Sequence, residues 1–219
     1  MKYLSYFISE KTPLYGNGTG IQFVPDKEMI KGDNCNTTNL VFPNHSGTHI
    51  DFPYHFSLDG KTLNDYPASY WQFNHIDLID LSSKVDDCQI IGPEIFSSLE
   101  NSDADLLLIK TGYGTWRGTD RYTLTSPGLS ANLAPFLRTN FPLLRCIGMD
   151  LISISSYCNR EEGRKAHHAF LSPEEGEPIL LIEDMKLDID SPFDKVIVAP
   201  LLINNADGTP CTVMAYTEK

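Results

Sequence analysis

Residues 45–55 read HSGTHIDFPYH, which places His45, His49, Asp51 and His55 within eleven positions. The chain has six histidines, so half of them fall in this one segment. Two histidines four apart could share one face of a helix, as in the HExxH arrangement of metalloproteases. Whether the segment is helical or extended therefore decides which fold carries it. Gly47 and Thr48 lie between the two histidines, and Ile50 and Pro53 follow. Glycine, β-branched residues and proline all disfavour a helix. On an extended chain the four odd-numbered residues project from one face. The Cα atoms of His49 and Asp51 are then about 7 Å apart, close enough for both side chains to reach one ion. His45 would stand about 13 Å from His49 if fully extended, so Gly47 is expected to supply a bend or bulge that brings it back. Pro53 is expected to end the ladder and turn His55 over the same place.

Two imidazole nitrogens and a carboxylate oxygen are a common ligand set for zinc, and the set also suits manganese or iron. Three protein ligands leave positions open for water, which is the pattern of a catalytic ion.

Outward from this segment, strand-like runs dominate. Residues 20–24, 40–42, 75–81, 105–111, 145–149, 178–184 and 195–203 are short, apolar or alternating, and bounded by Gly, Pro, Asn or Asp. Helical signals are fewer. Gly92-Pro93 opens IGPEIFSSLE, with Ile95, Phe96 and Leu99 on one face. Residues 129–140 offer Ser130 as a cap, with Pro135 inside that kinks the helix or shifts its start. The stretches 111–128 and 155–177 read as long, polar, Gly-rich loops. Tyr113, Trp116 and Tyr122 in the first of these could line a substrate pocket or pack the loop. Asp207-Gly208 reads as a structural turn. The expected architecture is α/β, a mixed β-sheet or partial barrel with flanking helices, in one domain over residues 1–219.

Composition narrows the function. With 219 residues, 41% hydrophobic, the chain can bury a proper core. Its net charge of −12 disfavours nucleic acid and anionic membrane as partners. No stretch approaches the roughly 20 apolar residues of a membrane span, and the N-terminus lacks a signal-peptide pattern. The five cysteines are odd in number and widely spaced, with no CxxC pair. They are expected to be reduced thiols in a cytoplasmic protein.

The segment HSGTHIDFPYHF resembles the H-x-G-T-H-x-D-x-P-x-H pattern of the cyclase-like metal-dependent hydrolases, a family that includes bacterial kynurenine formamidase and isatin hydrolase. The resemblance implies a swivelling β/β/α fold, with His45, His49 and Asp51 binding metal and His55 serving as the nearby acid/base. It further implies later ligands in AHHAFL, where His167 aligns better than His168, and in PILLIEDM, where Glu183 ends a strand. GMDLIS (148–153) and VAPLLINNADGTPCTVMA (198–215) also match, the latter as a strand, an Asp-Gly turn and a final strand. Where the formamidases tend to have a Thr-Pro-Val-Trp-Pro-Gly-type segment facing the substrate, this chain has Thr12-Pro13-Leu14-Tyr15-Gly16-Asn17. The expected activity is hydrolysis of a small amide, formamide or lactam with one or two divalent ions, zinc first and manganese second. The resemblance also implies a homodimer or homotetramer. The alternatives are a non-catalytic metal-binding protein and a metal-dependent lyase or dehydratase.

Overall fold

The computed structural model describes residues 1–96, 102–189 and 193–217. Its strands in chain order are β1 (Lys2–Tyr3), β2 (Gln22–Lys27), β3 (Thr37–Val41), β4 (His49–Asp51), β5 (Gln72–Phe73), β6 (Ile76–Asp80), β7 (Ile90–Ile91), β8 (Leu106–Lys110), β9 (Gly128–Leu129), β10 (Cys146–Met149), β11 (Leu180–Glu183), β12 (Lys195–Pro200) and β13 (Gly208–Tyr216). The helices are α1 (Asp120–Leu124), α2 (Leu133–Asn140) and α3 (Arg160–Leu171). The main sheet runs β5-β12-β13-β4-β11-β10-β8-β6, with β1 beside β13. Its β6, β8, β10 and β11 are mutually parallel, and β4 joins them antiparallel. On the other side of β4, the strands β13, β12 and β5 are antiparallel. The two ends of this order, β5 and β6, are separated in sequence only by Asn74 and His75. The edges must therefore approach each other, and the sheet curls into a nearly closed barrel. Arg145 ties the gap by donating to the Gln72 carbonyl and to Asp105. This is the expected mixed, partly closed sheet.

Of the parallel strands, β8, β10 and β11 are buried along almost their whole length, as strands covered on both faces should be. One cluster of buried side chains runs from Leu4 to Ala215 and draws on every part of the sheet. Outside it, β2 and β3 form a separate two-stranded hairpin with mostly exposed side chains. No described helix is long and apolar enough to cross a membrane.

Four expectations are corrected. Residues 155–177 are not a loop, because α3 occupies Arg160–Leu171. The central Gly163 obscures a good amphipathic pattern in which Gly163, Ala166, His167, Phe170 and Leu171 face inward. The glycine is there for packing: a Cβ would collide with Ser155 Oγ. The helix in 129–140 starts from Asn132, not Ser130, so Pro135 falls in the first turn where its missing N–H costs nothing. The stretch after Gly92 forms only a short 3₁₀ turn over Pro93–Phe96, and the remainder of that expected helix lies outside the described residues. The thiols are not all free: Cys88 and Cys158 form a disulfide across 70 residues, while Cys35, Cys146 and Cys211 remain single. A pairing at that separation leaves no local spacing signal.

Candidate metal centre

Strand β4 lies at the junction of the parallel and antiparallel halves, with β11 on one side and β13 on the other. Its three residues are all buried. Register sets Glu183, the last residue of β11, directly opposite His49. Gly47, at φ +63°, bends the chain before the strand and returns His45 to the site. After the strand, Pro53 opens a 3₁₀ turn over Pro53–His55 that swings His55 inward. His167 enters from α3, whose inward stripe includes it. All six residues, His45, His49, Asp51, His55, His167 and Glu183, line one cavity of about 350 Å³. His168 lies outside that lining and points toward Glu175 instead, 3.9 Å away.

The donor spacing distinguishes two layers. His49 Nε2 is 3.4 Å from Asp51 Oδ1 and 3.3 Å from Glu183 Oε2. His167 Nε2 is 3.6 Å from Glu183 Oε1 and 3.8 Å from Asp51 Oδ2. These separations exceed hydrogen-bond lengths. The His49 distances match the roughly 3.3 Å between ligands of a tetrahedral ion, while the His167 distances are longer and run to the other oxygen of each carboxylate. The histidines are also preset. Nδ1 of His49 donates to the Gly47 carbonyl at 2.8 Å, and Nδ1 of His167 to the Gly163 carbonyl at 2.8 Å. A carbonyl can only accept, so each ring turns its Nε2 toward the carboxylates. His45 differs: its Nδ1 is 2.8 Å from Asp51 Oδ1, a hydrogen-bond distance, although His45, His49 and Asp51 still form a group able to hold an ion.

The electrostatics call for positive charge at this point. Burial opposes protonation of His49, yet Glu183 and Asp51 raise its pKa to about 9. His167 shifts upward for the same reason. Burial alone would raise Glu183, but the two imidazoles hold it well below the usual carboxylate range. Two buried carboxylates and two inward Nε2 atoms therefore fit a divalent cation, which would replace the imidazole protons.

His55 borders this cage, and with Asp51 and His167 it forms a further group able to hold an ion. Burial drives its pKa down, with His45 and His167 assisting against Asp51 and Asp207. It is neutral at pH 7 and competent as a base. Its ring stacks on His45 with centroids 4.1 Å apart, and its Nδ1 is 3.0 Å from Asp207 Oδ2. His45 Nε2 meets the same oxygen at 3.0 Å. Asp207, expected to be only a turn residue, thus clamps both imidazoles, and Asn44 Nδ2 donates to its other oxygen at 2.7 Å. Gly208 allows this arrangement, since a Cβ there would collide with the His45 ring. An aspartate before glycine carries the same local signal whether its side chain caps a turn or reaches a histidine.

The Gly-rich loop has a supporting role. Tyr113, Trp116 and Tyr122 do not line the cavity. Tyr113 Oη bonds Asp87 at 2.5 Å, and Arg121 lies over the Trp116 ring. Tyr122 Oη donates to Asp184 Oδ1 at 2.6 Å. Arg117 reaches the same buried carboxylate through Nε at 2.8 Å and Nη2 at 2.7 Å. Asp184, at φ +50°, follows Glu183, and its carbonyl accepts from Thr48 Oγ1 at 2.6 Å. The loop therefore fixes the backbone on both sides of the Glu183–His49 pair.

The model of the cyclase family, described as putative cyclase, matches residues 3–156, the part of the chain that contains the histidine cluster. The kynurenine formamidase of Geobacillus thermodenitrificans is 28% identical over 208 residues, covering 94% of this chain and 92% of its own length. That of Bacillus anthracis is 29% identical over 176 residues, covering 80% and 77%. Isatin hydrolase A from Labrenzia aggregata, solved with benzyl benzoate bound, has the same fold, with a TM-score of 0.80, 20% identity, and coverage of 99% of this chain and 93% of that one. A structure described as a potential metal-dependent hydrolase with cyclase activity superposes with a TM-score of 0.76 at 21% identity, over 100% and 98% of the two chains. The match extends over well more than half of the sequence, and the chain belongs to the putative cyclase family.

Proposed function

We propose that the protein is a metal-dependent hydrolase acting on a small non-peptide amide, formamide or lactam. The observation that carries this reading is the pairing of a buried His/Asp/Glu cage with a neutral His55 that lines the same cavity and is held by Asp207. The kynurenine formamidase relatives support the choice of bond. His49, Asp51, His167 and Glu183 would hold the ion, with His45 completing the set or bracing Asp51. Zinc suits these nitrogen and oxygen donors, and manganese is the alternative. When bound, a divalent ion supplies Lewis acidity, which makes water nucleophilic near neutral pH and polarises a carbonyl.

The protein's own groups do the rest. Asp207 receives the Nδ1–H of His55, so Nε2 is the free base. That nitrogen removes a proton from the attacking water as the C–O bond forms. It returns the proton to the leaving nitrogen as the C–N bond breaks. Pro13, Leu14, Phe56 and Ile152 give the cavity an apolar wall suited to an aryl or alkyl substituent.

The test is an assay of the chelator-stripped and metal-reloaded protein against aryl formamides and lactams. Activity should vanish on stripping and return on reloading, and His49→Ala or Asp51→Ala should lose both metal and activity. Tightly bound metal without turnover of any amide would move the assignment to a binding protein. Elimination from a hydroxy acid in place of hydrolysis would move it to a lyase.

A further inference from the structure

Part of the cavity lining is cationic. Arg160 and Arg164 both line it, and both sit on the face of α3 that carries His167. Positions 160, 164 and 167 are one turn apart along that face. At 1.5 Å per residue, the two arginines originate about 10 Å and about 4.5 Å from His167 along the helix axis. In a chain of net charge −12, two guanidinium groups at one cavity need a reason.

Their nearest acidic neighbours are engaged elsewhere. Glu161 pairs with Lys165 at 3.0 Å, and Glu162 Oε1 accepts from Ser130 Oγ and the Ala131 N–H. No described carboxylate lies within ion-pair distance of either arginine. Arg160 instead lies over the ring of Tyr157 at 5.6 Å, and Tyr157 packs edge-on against Tyr15 at 5.4 Å. Tyr15 lines the same cavity, and its buried hydroxyl, beside Ser155, has no hydrogen bond of normal geometry. Two exposed fork-shaped cations without a described carboxylate partner thus line the cavity that holds the candidate metal ligands.

We infer that this end of the cavity binds a carboxylate, so that the substrate is an anionic amide, with Arg160 and Arg164 holding the acid group while the scissile carbonyl lies over the His49/Asp51/His167/Glu183 cage. The inference rests on the hydrolase reading above and names its substrate class. Guanidinium donors match a carboxylate in a planar, charge-assisted pair. A neutral amide would offer the two guanidinium groups no charged partner.

The test compares 2-formamidobenzoate with formanilide, which share the scissile formamide and differ by the carboxylate. The metal-loaded protein should prefer the acid by at least about tenfold in kcat/KM, the scale of a charge-assisted hydrogen bond. In Arg160→Gln/Arg164→Gln that ratio should collapse toward one, mainly through KM for the acid. Arg164→Glu should push it below one, and Arg164→Lys should restore part of it. A wild-type ratio near one, or a ratio unchanged in the double variant, overturns the proposal. Calorimetric binding of 2-aminobenzoate to the metal-loaded protein supplies a readout independent of turnover. The double variant should weaken binding at least about tenfold, whereas equal affinity would mean the carboxylate sits on the metal alone and the arginines do not bind it. If neither amide is cleaved while binding still depends on the arginines, the hydrolase reading falls and the anion site stands. If formanilide is cleaved and the acid is not preferred, the reverse holds.

Discussion

Raising the pH of the metal-free protein should unfold it in a way the metal-loaded protein resists. His49 carries the argument. Its pKa is raised from 6.5 to about 9 by Glu183 and Asp51, against the cost of burial. A raised pKa means the folded state holds the proton more tightly than the unfolded chain does. The resulting stability is fully present below about pH 6.5 and is lost as the pH rises through about 9. A shift of that size corresponds to about 3 kcal/mol. For a chain of this length it corresponds to a fall in Tm of about 6–12 °C. His167 shifts in the same direction and adds to the loss. Glu183 works at the opposite end: its depressed pKa gives stability that is present above about 4.5 and lost on further acidification. With metal bound the sign at high pH changes, because the ion takes the deprotonated Nε2 and its affinity grows as protons leave. The assay is thermal unfolding from pH 6.5 to 9.5, with chelator and with saturating metal. The gap between the two Tm values should widen steadily with pH, and His49→Gln should flatten the chelated series. A gap that stays constant within about 2 °C, well under the shift worked above, would refute the claim that the imidazole protons stand in for a cation.

Three further outcomes follow from the geometry. His55→Gln should retain full metal content by elemental analysis and lower kcat by about 10²-fold or more, because it touches the reacting proton and not the ion. Asp207→Asn should lower activity at saturating metal by about 10- to 100-fold, the usual effect of removing the partner that orients a histidine; unaltered kinetics would return Asp207 to the role of a turn residue. Arg117→Met should destabilise the fold by about 3–5 kcal/mol in urea unfolding, since it strands the buried Asp184 carboxylate without its cation; a loss under about 1 kcal/mol would show that Tyr122 alone satisfies it.

What could be read from the sequence, and what could not, follows the range of the interaction. The bend at Gly47, the short strand at His49–Asp51 and the turn at Pro53 are local steric consequences of glycine, β-branched residues and proline, and each falls where the residues demand. Strands β8, β10 and β11 are visible as apolar runs because they are buried on both faces. Helix α3 was hidden by Gly163, whose reason is a contact with Ser155. The Cys88–Cys158 bridge and the Arg117–Asp184 clamp each join distant segments and leave no periodic trace.

Asp207 is the sharpest instance, because its two possible roles use the same residues. A turn needs an acceptor and a flexible neighbour, and Asp207-Gly208 supplies them. The fold then adds a requirement that the turn does not impose: β13 pairs with β4, bringing Gly208 opposite Asp51 and the Asp207 side chain against His45 and His55. The missing Cβ at position 208 is what leaves room for the His45 ring. Gly208→Ala separates the roles. Its φ is not in the left-handed region, so an alanine can make the turn, and a residue needed only there would tolerate it. A residue needed to admit the imidazole would not, and the variant should displace His45 and weaken both metal binding and turnover while the protein stays folded.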